Sequence, residues 1–480
     1  FWRMTPPWVA PKDLKVLEAF YMGGAFNWGP WIPSMLFWAL WGIAWTCGSY
    51  LLMYPLARPL VEVERHVFPA MVPAVYTIKW ATSGDEKPGL LGLRYGRAFW
   101  IGVVIGMIIL APTAITALTG ITFPFYLAEP PVNVWLEQVL EPILPGAFIG
   151  GFFGPIDIVL LALAPTDILL SGAVWFLIFG ILYPVIGVKL GVLPYYPGIP
   201  RTTYIQEVGP IKIGFFNAWG IIVGIGLWTF WRYRDHFIRV FKALFETKSR
   251  LYFIREEGID ARLLAIGVIS SFLVMLILWT MTGANPLMGI IGIVYYYIVM
   301  AAWVKYMADA SHPPTWYLYT PAFYYMGEFL GAWGPPPDER ALNSLVMFLS
   351  IGGAEYLRMS ATGPHTQFMT YKLAFENGVR FRDMLILTSI TVMVSCILVS
   401  FLTPWWYTVF GGHLNLGMIN YHQWMMPWAW NLAKGAPPWK ITEGEFVAYS
   451  LAGTIFVFIC YKLRAMFPAF FFDPLGAAIT

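Results

Sequence analysis

Apolar side chains occur along this chain in long blocks, and the blocks set the architecture before any single residue is considered. Eight of them supply about 20 mostly apolar residues each, enough for an α-helix to cross the hydrocarbon core of a bilayer. They fall at residues 31–53, 98–118, 168–188, 213–231, 263–281, 287–304, 384–402 and 446–461. Four more stretches, at 68–80, 148–164, 321–333 and 342–351, are shorter or interrupted. The pattern predicts an all-α, polytopic transmembrane helical bundle with broken or re-entrant helices, in which residues 1–480 form a single integral membrane domain. The opening Phe1-Trp2-Arg3 lacks both Met and the features of a signal peptide, so the chain is expected to be an internal part of a longer one.

Basic residues orient the bundle, because cytoplasmic loops retain Lys and Arg. Residues 232–262 carry Arg234, Arg239, Lys242, Lys248, Arg250 and Arg255, whereas 120–146 hold Glu129, Glu137 and Glu141 and no basic residue. The first segment is placed in the cytoplasm and the second outside, in a multi-pass protein of the cell membrane. The clusters Arg58/Arg65, Arg94/Arg97, Arg380/Arg382 and Lys462/Arg464 then also fall inside. This requires 148–164 to cross fully, and requires 68–80 and the chain between Lys305 and Arg380 to return to the side they left, as a re-entrant hairpin would. Within the basic loop 233–261, Phe237, Val240, Phe241, Leu244 and Phe245 recur at helical spacing beside Arg239, Lys242 and Lys248. That spacing predicts an amphipathic helix on the inner leaflet; the alternative is a solvated linker.

Composition narrows the class. Charged residues make up 12% of the chain, about half the roughly 25% of an ordinary soluble domain, against 58% apolar and 18% aromatic residues and a mean hydropathy of +0.63. Soluble enzymes, nucleic-acid readers and disordered regulators are excluded; the lipid bilayer is the expected partner, with no nucleic acid. The net charge of +3 is too balanced to imply a polyanionic ligand. Cys47, Cys396 and Cys460 lie in separate apolar runs and read as buried, unreactive thiols. Gly102/Gly106, Gly150/Gly154 and Gly220/Gly224, each four apart, would let helices approach closely. Pro112, Pro155 and Pro184 would break or kink their helices.

Ionisable groups at membrane depth cost roughly 2.5–3.5 kcal/mol each on insertion scales and need a partner or a task. Asp157 stands alone after Pro155, either as a proton or cation site or as a neutral carboxyl bonded to freed backbone. Glu62/Arg65 and Glu355/Arg358 are each three apart, so on a helix each pair shares a face, as an internal ion pair or as a substrate contact. Asp309 and His312 stand where a span must stop before Pro313-Pro314; they read as a proton shuttle or as an ordinary helix end. His365 lies in Thr362-Gly363-Pro364-His365-Thr366, a substrate-facing break or a polar inner-surface loop. No HExxH, Walker A, nucleophile-elbow or C-x-x-C pattern is present, so an enzyme is not expected, nor a metal or other cofactor. His66, His236, His413 and His422 do not fall within facing spans as haem ligands would. Trp405, Trp406, Trp424, Trp428 and Trp430 fit an interfacial aromatic belt.

The run Arg58-Pro59-Leu60-Val61-Glu62-Val63-Glu64-Arg65-His66-Val67-Phe68-Pro69 resembles a signature of an uncharacterised prokaryotic membrane family related to the oligopeptide transporter superfamily, in which Leu stands at the place of His66. Further similarities are Phe26-Asn27-Trp28-Gly29-Pro30-Trp31, the segment from Leu227-Trp228 to His236, and Trp303 to Ala310, where Lys305-Tyr306-Met307-Ala308-Asp309-Ala310 replaces the family's Arg-x-Arg-Ala-Glu-Ala-Gly. A Pro-rich turn from Phe467-Pro468 to Pro474-Leu475-Gly476 has Asp473 where the family often has His. The resemblance implies an oligopeptide-transporter-like fold and a secondary transporter for a small solute, peptide or metal chelate, coupled to protons or cations. Glu62, Glu64, Arg65, Asp157, Asp309, His312, Glu355, Arg358 and His365 are the candidate coupling or substrate residues. A second expectation, from the altered motif at Asp309 and the aromatic outer surface, is a transporter-derived structural or accessory subunit bound to copies of itself or to other membrane subunits. A third is a membrane redox protein.

Overall fold

The computed structural model describes residues 5–82, 100–104, 106–107, 111, 115, 132–135, 140–147, 150–153, 162–195, 209–310, 319–351, 363–412, 429–436 and 441–479. Among them seven helices are long and apolar enough to cross a membrane. These are α2 (Trp28–Met53), α4 (Thr166–Lys189), α5 (Ile213–Arg232), α8 (Ala261–Met281), α9 (Pro286–Asp309), α13 (Phe381–Phe410) and α14 (Glu443–Met466). Each coincides with a predicted span. The eighth, 98–118, is only partly described, and its described residues are helical. Shorter helices are α1 (Leu14–Met22), α3 (Val72–Thr82), α6 (Arg234–Lys242), α7 (Thr247–Glu256), α10 (Tyr319–Phe329), α11 (Glu339–Ile351), α12 (Pro364–Glu376) and α15 (Pro474–Ile479).

One two-stranded antiparallel ladder departs from the all-α expectation. It pairs β1 (Val132–Trp135) with β2 (Gly150–Phe153), Val132 opposite Phe153. The stretch 148–164 therefore starts extended rather than as a crossing, and Gly150 is not a helix-packing residue; Gly154, Pro155 and Asp157 lie outside the described residues.

Helix ends follow local chemistry. Asn285 caps α9 by accepting from Leu287 N (2.9 Å) and Met288 N (3.4 Å), with Pro286 at the first helical position. Thr442 and Glu445 form a capping box at the start of α14. Pro184 does not break α4: a π-turn at Leu177–Leu182 precedes it and absorbs the hydrogen bond that proline cannot donate.

Burial ranks the spans. In its most apolar window, α9 is 72% buried and α5 71%, against 11% for α13, so α9 and α5 are central and α13 peripheral. Leu387, Ile390, Val394 and Ile397 of α13 are exposed apolar side chains, as a lipid-facing span requires. α5 packs on α9 and α14, α2 packs on α8 and α13, and α15 packs on α4. The α5–α14 approach depends on missing side chains: a Cβ on Gly220 would stand 2.6 Å from Gly453 Cα, and one on Gly224 2.9 Å from Val457 Cβ. The Gly220/Gly224 prediction is met. A Cβ on Gly102 or Gly106, by contrast, would meet nothing within 4 Å.

Charge collects at one end of the bundle. There Arg58 bonds Glu256 (2.8 Å), Arg382 bonds the Gly258 carbonyl (3.1 Å) and Arg464 bonds Asp167. At the opposite end Asn285 Nδ2 donates to Ala332 O (2.8 Å), and Gly24 N to Thr408 O (2.8 Å). Among the described residues α10, α11 and α12 run for 11, 13 and 13 residues, each shorter than the about 20 a crossing needs. The turn between α10 and α11 contains Ala332 and so reaches the end away from the charges; α12 returns to the charged end, where Glu376 meets Lys79 at 2.5 Å. The chain from Lys305 to Arg380 thus comes back to the end it left. For 68–80 the expected hairpin is replaced by the single helix α3, which runs along the charged end from beside Ala308 to Glu376.

Gly220→Val is expected to lower the thermal unfolding midpoint in detergent, for an overpacking cost of about 1–3 kcal/mol. Gly102→Ala is expected to leave it unchanged or slightly raised. Tryptophan fluorescence during a temperature ramp measures both.

Candidate functional site

The site forms where the segment after α2 meets the end of α9. Proline at position 59 cannot continue an α-helical ladder, and Arg58–Val63 close as a π-turn. Glu64 N then donates to Pro59 O (2.9 Å) and His66 N to Leu60 O (3.1 Å). Two residues that follow are left-handed, Arg65 at φ 53° and Phe68 at φ 50°; they are the non-glycine residues with positive φ among those described. Such geometry costs about 1–3 kcal/mol per residue and persists only when the surroundings impose it. The surroundings here are α9: Phe68, fully buried, donates its N–H to Ala308 O at 2.9 Å.

This anchorage places His66 between two carboxylates. Its Nδ1 lies 2.6 Å from Asp309 Oδ1 and its Nε2 2.8 Å from Glu64 Oε2. An ionised carboxylate only accepts, so both contacts are satisfied when both ring nitrogens carry protons, that is, by an imidazolium. Lys305 Nζ meets the other oxygen of Asp309 at 2.9 Å. Tyr233 donates its hydroxyl to Glu64 Oε2 (2.6 Å), and Arg232 reaches Glu64 Oε1 at 3.4 Å. The result is a line of alternating charge, Lys305, Asp309, His66, Glu64, Arg232. The side chains of Asp309 and His66 are 12% and 16% exposed, so the pair is only weakly screened.

Burial opposes the charged form of His66, but the bonds to Asp309 and Glu64 outweigh it and hold the imidazole pKa above its ordinary 6.5. Burial likewise opposes ionised Glu64, and the bonds from His66 and Tyr233 outweigh it, bringing the carboxyl down to about 2. Nearby, burial, with the carboxylates of Glu62 and Glu256, pushes Glu257 up to about 7 against the pull of Arg58.

A second cluster lies at the same end. Arg464 of α14 bonds Asp167 of α4, Phe471 O (2.9 Å) and, at 3.5 Å, Asp473. Asp473 N donates to Ser171 Oγ (2.8 Å), and Asp473 Oδ1 accepts from Leu475 N (2.9 Å), starting α15. Burial pushes the Asp473 carboxyl up to about 6 despite Arg464, and Asp309 and Lys305 lie close enough to act on it.

Three of the expected residues, Glu64, Asp309 and His365, are where chemistry is possible. Glu64 and Asp309, far apart in sequence, are joined through His66. Glu62 does not pair with Arg65, because the π-turn and the left-handed Arg65 end the helical register; it meets Arg58 at 3.3 Å, and Arg65 is exposed. His365 is no surface loop: it is 3% exposed in the first turn of α12, with Trp303 edge-on at 5.1 Å and its Nδ1 without a hydrogen-bond partner, as is Oε1 of buried Gln367. Asp157, His312, Glu355 and Arg358 lie outside the described residues. Sequence reasoning treated His66 as an unsuitable haem ligand and as a departure from a motif, and it missed Tyr233, Glu257 and the Arg464 cluster. The available signal was one histidine in a run of charged residues.

Fold and site together define a polytopic, helical, membrane-embedded protein with two clusters of paired ionisable groups at one end of the spans. The chain belongs to the family of unknown function DUF6785, which matches it over residues 1–480. It has no match among curated proteins.

The raised pKa of His66 fixes the sign of a pH effect. Its stabilisation is fully present below the unfolded value of 6.5 and is lost as pH rises through the higher folded value; that of Glu64 is present above 4.5 and lost as pH falls through about 2. His66→Leu is expected to cost roughly 2 kcal/mol at pH 6, less than the about 3–5 of a fully buried pair. The difference from wild type should shrink toward alkaline pH in thermal unfolding.

Proposed function

We propose that this protein is a secondary transporter coupled to protons, with His66 and the carboxylates of Glu64 and Asp309 as the coupling relay. The observation that carries the reading is the imidazolium held between two carboxylates on a strained loop, at the end of the most enclosed span. A proton entering this line neutralises one carboxylate. Protonating Asp309 leaves Lys305 without its counter-charge and His66 held by Glu64 alone, which loosens the loop at residues 64–68 from α9. Protein strain and charge are thus linked at one place, as a carrier that changes shape on protonation needs.

The short helix α12, which starts at Pro364 after the Gly363 cap, supports the same reading. Discontinuous helices bring polar groups to membrane depth only where protein or a solute answers them. Buried His365 and Gln367, each with an unanswered polar atom at the start of α12, fit a solute contact. Trp303, beside His365, and Asp309 are six residues apart on α9, about 9 Å along the axis, so solute and relay lie within one helix of each other. The resemblance to a prokaryotic branch of the oligopeptide transporter superfamily belongs to this proposal, as do a small solute, peptide or metal chelate as cargo and a cell membrane with the charged end inside. Asp157 stays a candidate for coupling beside the relay.

The test is reconstitution into liposomes with a trapped pH dye and a panel of di- and tripeptides and their metal chelates. A solute that drives proton entry in wild type, and fails to in His66→Leu and Asp309→Asn while Arg65→Ala remains active, is the expected result. No proton flux with any solute in folded wild-type protein overturns the carrier reading. Flux unchanged in both relay variants overturns the relay, and unchanged pH dependence in Asp157→Asn dismisses Asp157.

A further inference from the structure

The chain between spans α5 and α8 folds back as α6 and α7, and packing accounts for only one of its two apolar surfaces. Phe237, Val240, Ala243 and Phe253 are buried against the bundle. The predicted single amphipathic helix is therefore two helices, with Leu244 and Phe245 beyond the end of the first, and the apolar side expected to face lipid is largely spent on protein. A different line remains open. Ile238 and Phe241 sit three apart on α6 and Phe245 continues their line, at 47%, 36% and 88% exposure; Leu251 and Ile254 repeat the spacing on α7.

Cations border both lines: Arg234, Arg239 and Lys242 on α6, Lys248 and Arg255 on α7. Arg239 lies over the Tyr252 ring at 4.9 Å and Arg234 over Trp231 at 5.0 Å, stacked at the surface. The acidic residues of the hairpin are largely engaged elsewhere. Asp260 takes Arg250 at 2.6 Å, Glu256 takes Arg58 at 2.8 Å, Glu246 accepts from Ser249, Glu257 is half-buried, and exposed Asp235 lies 4.0 Å from Arg234. What faces outward is thus apolar with an excess of positive charge.

Position selects the partner. Tyr233, which begins the hairpin, is bonded to Glu64, and Glu256, which ends α7, is bonded to Arg58. Both ties hold the hairpin at the level where the membrane-capable helices α5 and α8 respectively end and begin, and the end of a span is where a chain meets the headgroups. A soluble acidic protein would match the charge but not the exposed Phe245, Ile238 and Phe241. A phenylalanine gains by entering acyl chains, and Lys and Arg gain by lying at an anionic surface.

We propose that the α6–α7 hairpin is a binding surface for anionic phospholipid headgroups of the bilayer the protein spans. Arg239, Lys242, Lys248 and Arg255 take the phosphates, and Ile238, Phe241 and Phe245 enter the upper acyl chains. The proposal does not rest on transport. It is tested on the whole protein, purified from nanodiscs of equimolar phosphatidylcholine and phosphatidylglycerol, by mass spectrometry of the lipids retained.

Wild type is expected to retain phosphatidylglycerol over phosphatidylcholine. The triple variant Lys242→Gln/Lys248→Gln/Arg255→Gln is expected to lose that preference about tenfold, the two proteins unfolding at the same temperature in phosphatidylcholine alone. Phe245→Ser is expected to weaken retention of both lipids. Equal preference in the triple variant and wild type overturns the site. Displacement of the lipid by soluble glycerol phosphate at concentrations that leave bulk ionic strength unchanged also overturns it, because the surface would then read a free phosphate.

Discussion

A cation placed between two carboxylates organises the charged end of this protein. His66 reaches Asp309 and Glu64 at once, Lys305 and Tyr233 complete their coordination, and the backbone bond from Phe68 to Ala308 holds the parts in register. Removing His66 leaves Asp309, whose side chain is 12% exposed, with Lys305 as its remaining counter-charge, in a place where water replaces the lost partner only in part. The two left-handed residues beside His66 persist for the same reason: the ions and the buried Phe68 hold the loop where its own torsional preference would not.

The same end carries a second arrangement of the same kind. Arg464 gathers Asp167, Asp473 and the Phe471 carbonyl, tying α4, α14 and the segment leading into α15 together. Between the two clusters ion pairs join the ends of α4, α5, α9 and α14 to the segment after α2, in addition to the apolar packing there. Along their lengths the spans are held differently, by close backbone contact at Gly220 and Gly453 and by stacked rings such as Trp219 on Tyr295, 4.2 Å between centroids. Apolar packing sets which spans touch. Ionic contacts set how their ends connect, and those are the contacts that protons can change.

Much of the fold was legible because a bilayer imposes a length. A span needs about 20 apolar residues whatever its neighbours do, so α2, α4, α5, α8, α9, α13 and α14 could be read from hydropathy, and the gathering of basic residues at one end from their positions in the chain. The Gly220/Gly224 spacing also pointed to a contact that exists. The short stretches were harder. A run such as 68–80 is equally apolar whether it dips into the bundle or lies across its end, and only the bonds from Phe68 to Ala308 and from Lys79 to Glu376 decide that α3 lies across. Pro184 read as a break, yet a single π-turn keeps α4 continuous.

By itself, then, the sequence determined that this is a membrane-embedded helical protein with most of its basic clusters at one end, since transfer of side chains into hydrocarbon depends on composition within a window and not on tertiary contacts. It also marked Glu64 and Asp309 as charges that need partners. Which partners they have was decided only by the fold. His66 and Asp309 are separated by 243 positions and Glu64 and Tyr233 by 169, and no local rule of spacing reaches across such distances. The expected Glu62–Arg65 pair fails for the complementary reason: three-residue spacing implies contact only while the helix continues, and the strain that ends it at Arg65 is imposed by α9, a part of the chain that the local pattern does not contain.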